Sequence, residues 1–481
     1  MAMYLKRLYR GTSVSCRYSV PHKVEYAELK RTILQAIART ILSQPVMQVA
    51  IKGAATKKPS WIKLDSLDLD HHVAWHILDA GTFEQTFQET VASQLDSEYP
   101  DLEKRPSWRV TIMYEQDPQF LEILFTWNHP LGDGMSGRKF HEHLLEHLNS
   151  PNANNDGSLL SASKLQLPTA DPNLPPRIEK LAKLPLTPRH VFKTVLKEHG
   201  PAVLTKDDTE AHWAPIQTSS YKSHIRVFSI GKEILSSILA ACRQNNTTLT
   251  GLFHALGILF LASRLDTNSA PGFHTKTAVD LRRFLPSSPK RYPWLHPQRT
   301  MGNYVSVMGH AWPASLVSEI RVKLSADPST ETLSADLLKA IWSISAQAHR
   351  QIRHKLDMNL KDDIVGIMKF VPDWRKQVMD AARRPREYSY FISNIGAIDG
   401  GLQTDATASE PQSEKWTITR AQFSMSAEVT SAPLMTSAMS VLGGPLCVGI
   451  TWQDGVLDDS MGEAFAAELE SWLIQIGRVS A

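Results

Sequence analysis

At 481 residues, with 42% hydrophobic and 21% charged side chains, the chain has the make-up of a folded protein with more than one core, which excludes an extended disordered chain. A formal net charge of +3 over that length leaves no basic footprint for nucleic acid, so small-molecule chemistry is expected and a nucleic-acid partner is not. Three cysteines, Cys16, Cys242 and Cys447, lie far apart without CxxC spacing, which points away from a disulfide framework and toward a reducing, cytoplasmic setting.

The first ten residues lack an extended apolar run, and no stretch approaches the roughly 20 apolar residues that span a bilayer. From 24 to 44, Val24, Leu29, Ile33, Ala36, Ile37, Ile41 and Leu42 recur at helical spacing and predict an amphipathic helix. His71, His72 and His76 come next. Val73 and Trp75 between them read as strand, and position 73 lacks the Glu of a zinc-protease helix. Trp108 to Tyr114 and Gln119 to Trp127, rich in aromatic and branched residues, predict two strands joined by a turn at Glu115-Gln-Asp-Pro118.

Just past the second strand stands His129-Pro-Leu-Gly-Asp133-Gly134. An imidazole takes up a proton near neutral pH, the glycines permit a tight turn, and an Asp four residues on can fix the local backbone by pairing inward or stand solvated in the Gly turn. Met135 to Leu148 then follows a helical period. It carries His141, His143 and His147; the last two share a face, but no third ligand is evident, so no metal is expected.

The Ser-, Asn- and Pro-rich stretch from Asn149 to Pro176 reads as a surface connection and sets the expected division into residues 1–176 and 177–481. The second half opens on a strand at Arg226 to Ile230, followed by helices at 232–245 and 249–265 and strands at 275–281 and 304–309. Paired strands at 434–442 and 446–452 and a helix at 460–476 close it. No fixed-period repeat is visible. Neither a Gly-x-Ser-x-Gly elbow nor a Gly-rich phosphate loop occurs, which sets aside Ser hydrolases and nucleotide-dependent enzymes. Strands and helices alternating in two halves predict an α/β or α+β fold.

The block His129-x-x-x-Asp133-Gly134 resembles the motif of the acyltransferase superfamily that holds chloramphenicol acetyltransferase, plant BAHD acyltransferases, peptide-synthetase condensation domains and fungal alcohol acetyltransferases. Further likenesses follow in the same order: Asp280-Leu-Arg282-Arg283-Phe-Leu-Pro286, Met301-Gly302-Asn303-Tyr304-Val305 and Phe391-Ile-Ser393-Asn394-Ile-Gly396. The fungal alcohol acetyltransferase group is the nearest likeness, through Leu174-Pro-Pro-Arg-Ile-Glu-Lys-Leu and the Ser-Asn-Ile-Gly ending. Condensation domains carry a second His where Asn128 stands, and the BAHD sequence Asp-Phe-Gly-Trp-Gly is absent.

The resemblance implies two chloramphenicol-acetyltransferase-like lobes with a central tunnel and His129 at its middle. It implies that His129 takes the proton of an acceptor hydroxyl attacking the thioester of acetyl-coenzyme A, without an acyl-enzyme. Asp133 would turn from His129 to pair with Arg282, and Gly134 would serve the backbone. Asn303, Ser393 and Asn394 would bind the pantetheine arm or the oxyanion, with Arg383 and Arg384 contacting the coenzyme A phosphates. The expected substrates are acetyl-coenzyme A and a small hydrophobic alcohol, such as a terpenoid or polyketide; no cofactor stays bound, and the enzyme is expected to be a monomer. A condensation-like enzyme drawing on a carrier-protein thioester, an amine acceptor, and a non-catalytic binder of hydrophobic ligands are the alternatives.

Overall fold

The computed structural model describes residues 1–21, 26–116, 118–150, 159–199, 207–219, 221–326, 332–402 and 415–479. Two mixed sheets carry the fold. Their strands, in chain order, are β1 (Gly11–Ser19), β2 (Val73–Ile77), β3 (Trp108–Tyr114), β4 (Phe120–Asn128), β5 (Ser223–Ile230), β6 (Phe273–Asp280), β7 (Val305–Trp312), β8 (Tyr390–Ile398), β9 (Thr417–Met425), β10 (Leu434–Val441) and β11 (Leu446–Gln453). The first sheet has the order β9-β1-β4-β3-β2 and the second β5-β11-β10-β8-β6-β7.

Strand β4 is central and buried on both faces, which is why Leu121 to Asn128 reads as a near-continuous apolar run rather than an alternation. It pairs with β3 on one side and β1 on the other, with Gly11 opposite Asn128. Helix α1 (Tyr26–Ser43) lays Leu29, Ile33, Ile37 and Ile41 into the same core. Helix α2 (Phe83–Asp96) packs Phe83, Phe87, Val91 and Leu95 against Met113 and Leu124. Helix α3 (Gly134–Leu148) follows the His129 turn directly.

In the second half, α4 (Lys232–Gln244) and α5 (Leu249–Arg264) pack behind the sheet with α6 (Ala335–Asp357) and α8 (Asp459–Val479), and α7 (Trp374–Ala381) lies before β8. Among the described residues no single helix is long and apolar enough to cross a membrane. Helix α5 is apolar on all sides because it is the buried centre of this half, started by the Thr248 hydroxyl accepting from the Gly251 amide.

Two features depart from the sequence expectations. Part of the connection after Asn149 is structured: Leu160–Ser161 and Lys164–Gln166 form a small sheet with Ser66–Asp68. Leu165, 1% exposed, anchors it in the first core despite its polar surroundings; residues 151–158 of that connection lie outside the described residues. The second feature is β9, which leaves the second half and pairs antiparallel with β1 as the outer strand of the first sheet. The two halves therefore share a sheet, and the first core continues onto Phe391, Ile395, Met435 and Met439 of the second.

Candidate active site

The site forms where the end of β4 meets the approach to β7. Past Asn128 the chain turns tightly, with Leu131 N donating to Asn128 O at 2.9 Å and the Trp127 indole to Gly132 O at 2.8 Å. His129 stands on this turn, partly exposed between the halves. Its ring Nδ1 and its backbone carbonyl face the same neighbour. The Asn303 amide nitrogen lies 3.2 Å from both Nδ1 and that carbonyl oxygen. Tyr9 packs against the imidazole edge-on, with ring centroids 5.5 Å apart. Burial lowers the His129 pKa below its ordinary value, and the carboxylates of Asp133 and Glu428 pull only partly the other way. A neutral imidazole with an accessible edge can accept a proton.

Asp133 faces away from the imidazole's partners and caps α3, its Oδ1 accepting from the Ser136 amide at 3.2 Å. The structure brings it together with Arg282 in a two-pronged pair: Nη1 to Oδ2 at 2.7 Å and Nη2 to Oδ1 at 3.1 Å. Both side chains are buried, at 0% and 2% exposure. Asp133 Oδ2 also accepts from Tyr304 N at 2.8 Å, and Arg282 donates to Gly302 O at 2.8 Å and to Asp280. Burial alone would lower the Arg282 pKa, but the charges of Asp133 and Asp280 more than offset it and raise it. Gly302 O further accepts from Asp133 N and the Ser136 hydroxyl. The turn that bears His129 is thus held by the segment leading into β7.

Gly134 has a steric role. It is not among the residues with positive φ; instead a Cβ there would come within 2.9 Å of Phe423 and 3.1 Å of Ile395. That is a close approach between α3, β9 and β8.

The remaining candidates scatter. Asn303 touches His129 itself. Ser393 lies on the β8 face shared with Phe391 and Ile395, toward the first sheet. Asn394 shapes its own strand: its side chain accepts from Gly396 N at 2.9 Å, where the register to β10 shifts, and donates to Thr250. Arg383 is exposed near Asp380, and Arg384 is paired with Glu198 at 2.5 Å. Arg386, 1% exposed, donates to the carbonyls of Ala214, Val429 and Ser431 and fastens the loop after β9; burial pushes its pKa down to about 10. Tyr9 and Glu428 belong to no motif, and nothing in the sequence around them signals a site.

The histidine clusters are committed elsewhere. His72 Nδ1 meets Trp108 O at 3.0 Å, His141 sits between Tyr18 OH and Val14 O, and His143 Nε2 meets Arg299 O. Among the described residues one other trio has metal-ligand reach, His224, Asp454 and Asp459; His224 and Asp454 pair at 2.7 Å, and Asp459 accepts from the Trp452 indole.

The sequence profile of the alcohol acetyltransferase family matches residues 78–465. The chain belongs to that family. As a member it is an acyltransferase. The probable alcohol acetyltransferase FCK4 of Fusarium pseudograminearum is 26% identical over 468 residues, which cover 95% of this chain and 88% of that protein. The probable alcohol acetyltransferase crmB of Aspergillus fumigatus is 24% identical over 363 residues, 74% of this chain and 69% of its own. Among solved structures, the TRI3 trichothecene 15-O-acetyltransferase of Fusarium sporotrichioides matches with a TM-score of 0.71 at 14% identity, over 98% of this chain and 91% of that one. The first condensation domain of the calcium-dependent antibiotic synthetase matches with a TM-score of 0.56 at 11% identity, over 100% and 93%. These likenesses show the fold, the chloramphenicol-acetyltransferase-like arrangement of two lobes.

Proposed function

We propose that this member of the alcohol acetyltransferase family transfers the acetyl group of acetyl-coenzyme A to a hydroxyl of a small secondary metabolite, with His129 as general base. The observation that carries the reading is the imidazole at the meeting of the two lobes: lowered in pKa by burial and steadied by Asn303, on a turn fixed by the Asp133–Arg282 pair. A neutral His129 accepts the proton as the acceptor oxygen bonds to the thioester carbonyl carbon. The tetrahedral oxyanion collapses, the carbon–sulfur bond breaks, and the proton passes from the imidazolium to the departing thiolate, leaving an ester and free coenzyme A. Orientation of two substrates against His129 supplies much of the rate, and base catalysis adds roughly 10²–10⁴-fold.

The names of FCK4, crmB and TRI3 support an alcohol acceptor. Both halves of the site come from one chain, which supports action as a monomer, and three buried free thiols fit a reducing, cytoplasmic setting. We assign Arg383, exposed beside α7 with Asp380 3.8 Å away, to a phosphate of the donor. The test is incubation with labelled acetyl-coenzyme A and a panel of alcohols, followed by mass spectrometry. Label in an ester, lost in His129→Ala, supports the reading; release of coenzyme A without ester, or label on amines alone, overturns it.

A further inference from the structure

Beside His129, behind Tyr9, the structure holds a part-buried charge pair that the acyl transfer does not use. Lys276 on β6 is 8% exposed and faces Glu428, 27% exposed, with Nζ to Oε2 at 3.5 Å. The ammonium also donates to the Ser431 hydroxyl and lies 4.4 Å from the centre of the Phe391 ring and 5.3 Å from that of Tyr388. The backbone puts Glu428 beside the base. Ser426 N donates to Gly11 O at 3.0 Å and Val429 N to Leu8 O at 2.9 Å, so residues 426–429 run antiparallel to 8–11 and Glu428 stands across from Tyr9. Tyr9 in turn packs on the His129 ring, and its hydroxyl meets Thr12 at 2.7 Å. The Glu428 charge acts on both rings.

The loop that bears Glu428 does not depend on this pair for its position. Arg386 fastens it through the carbonyls of Val429 and Ser431, and the bonds to Leu8 and Gly11 hold its other side. This pair is costly to cover with an apolar ligand, because the part-exposed Glu428 carboxylate would lose water without gaining a partner. Glu428 only accepts hydrogen bonds and Lys276 only donates them. A hydroxyl does both.

We propose that Glu428 and Lys276 are specificity determinants that recognise a second hydroxyl on the acceptor, so that the enzyme acetylates a polyhydroxylated substrate in preference to a simple apolar alcohol. The proposal rests on the acetyl-transfer reading above and names the acceptor class within it. A site built to bond a substrate hydroxyl discriminates strongly against the analogue that lacks it; with Glu428 part-exposed, the expected preference is about 10-fold or more.

The test uses the full chain with labelled acetyl-coenzyme A and matched pairs of fused-ring alcohols, each a mono-alcohol and the vicinal diol one hydroxyl larger. The quantity read is the ratio of kcat/KM for diol over mono-alcohol in wild type, Glu428→Gln and Lys276→Met, with circular dichroism as the check on folding. The expected result is a wild-type ratio of about 10 or more that falls toward unity in Glu428→Gln, chiefly through KM for the diol. A ratio near unity in wild type overturns the proposal, and so does a variant that slows both alcohols equally, which a purely structural pair would give. Lys276→Met keeps the question open to measurement if Glu428→Gln fails to fold. If no alcohol takes up label, the acetyl-transfer reading falls; calorimetric titration of the same diols and mono-alcohols then decides the recognition by itself, and equal affinities overturn it.

Discussion

Arg282 closes on Asp133 with two guanidinium nitrogens, at 2.7 and 3.1 Å, across 149 residues of sequence. Both side chains are buried, and Asp280, 31% exposed and 3.1 Å away, is a second counter-charge for Arg282. Removing Arg282 leaves the buried Asp133 carboxylate without a counter-charge at a cost of about 3–5 kcal/mol, whereas removing Asp133 leaves Arg282 its bond to Asp280 and costs less. Arg282→Ala should lower the free energy of unfolding by that amount and Asp133→Ala by less, and both should reduce kcat. The double variant should be less impaired than the sum of the two, the mark of groups in direct contact. Losses that simply add, read by denaturation of all four proteins, would count against the pair as the brace of the His129 turn.

His129→Ala should lower kcat by roughly 10²–10⁴-fold while leaving the melting temperature close to that of the parent, since the side chain is partly exposed and its removal opens no core. Asn303→Ala, which removes the amide from Nδ1 and the carbonyl, should give a smaller loss in kcat with little change in stability. Parent-like turnover in folded His129→Ala would remove it as the base.

The rate should rise with pH and level off early. Burial holds the His129 pKa below its ordinary value, which is roughly 6.5, so the neutral base predominates at neutral pH. A profile of kcat/KM that is flat above about pH 7 and falls at lower pH is expected. A midpoint above the ordinary imidazole value would show that the Asp133 and Glu428 carboxylates outweigh burial.

Stability should fall over the same acid range for a separate reason. Burial pushes His72 and His141 down to about 4. Between pH 6.5 and 4 the unfolded chain binds protons that the folded chain refuses, so stability present above pH 6.5 is lost as pH falls. Each ring costs about 1.4 kcal/mol per pH unit across that window. Urea denaturation at pH 7 and 5 checks this; equal midpoints would mean that these rings open to water when protonated.

Gly134→Ala should destabilise by about 1–3 kcal/mol through overpacking, because its methyl would meet Phe423 at 2.9 Å. Shortening the neighbour with Phe423→Leu should recover part of the loss in the double variant. A neutral Gly134→Ala substitution, measured by thermal melting, would show that β9 and α3 can part at no cost.

The local elements were legible because each is written in one stretch of chain. Trp108 to Tyr114 and the helix after Gly134 match the expected spans almost to the residue, since period and turn chemistry act over a few neighbours. The helix at Phe83–Asp96 is equally legible in the four-residue spacing of Phe83, Phe87, Val91 and Leu95. What the site owes to distant chain was not legible from the residues. The pairing of Asp133 with Arg282 follows only from the family resemblance, and the contact of Asn303 with His129 is written in neither segment alone. Tyr9 and Glu428 carry no motif, and their roles depend on how residues 8–11 and 426–429 come to lie side by side.

The strand β9 also bears on how the molecule is made. Thr12 pairs with Met425 and Cys16 with Ala421, so the first sheet waits for a strand more than four hundred residues behind its partner. Contacts of such separation close slowly, and a ribosome adding about 5–20 residues per second exposes the β1 edge for tens of seconds before β9 emerges. During that interval β1 is an open template for pairing with other chains. The first lobe cannot mature as an independent early unit, and a fragment cut at the Asn149–Pro176 connection would carry that open edge permanently. Expression of residues 1–176 alone should therefore yield aggregate, whereas co-expression with the remainder offers the edge its own strand.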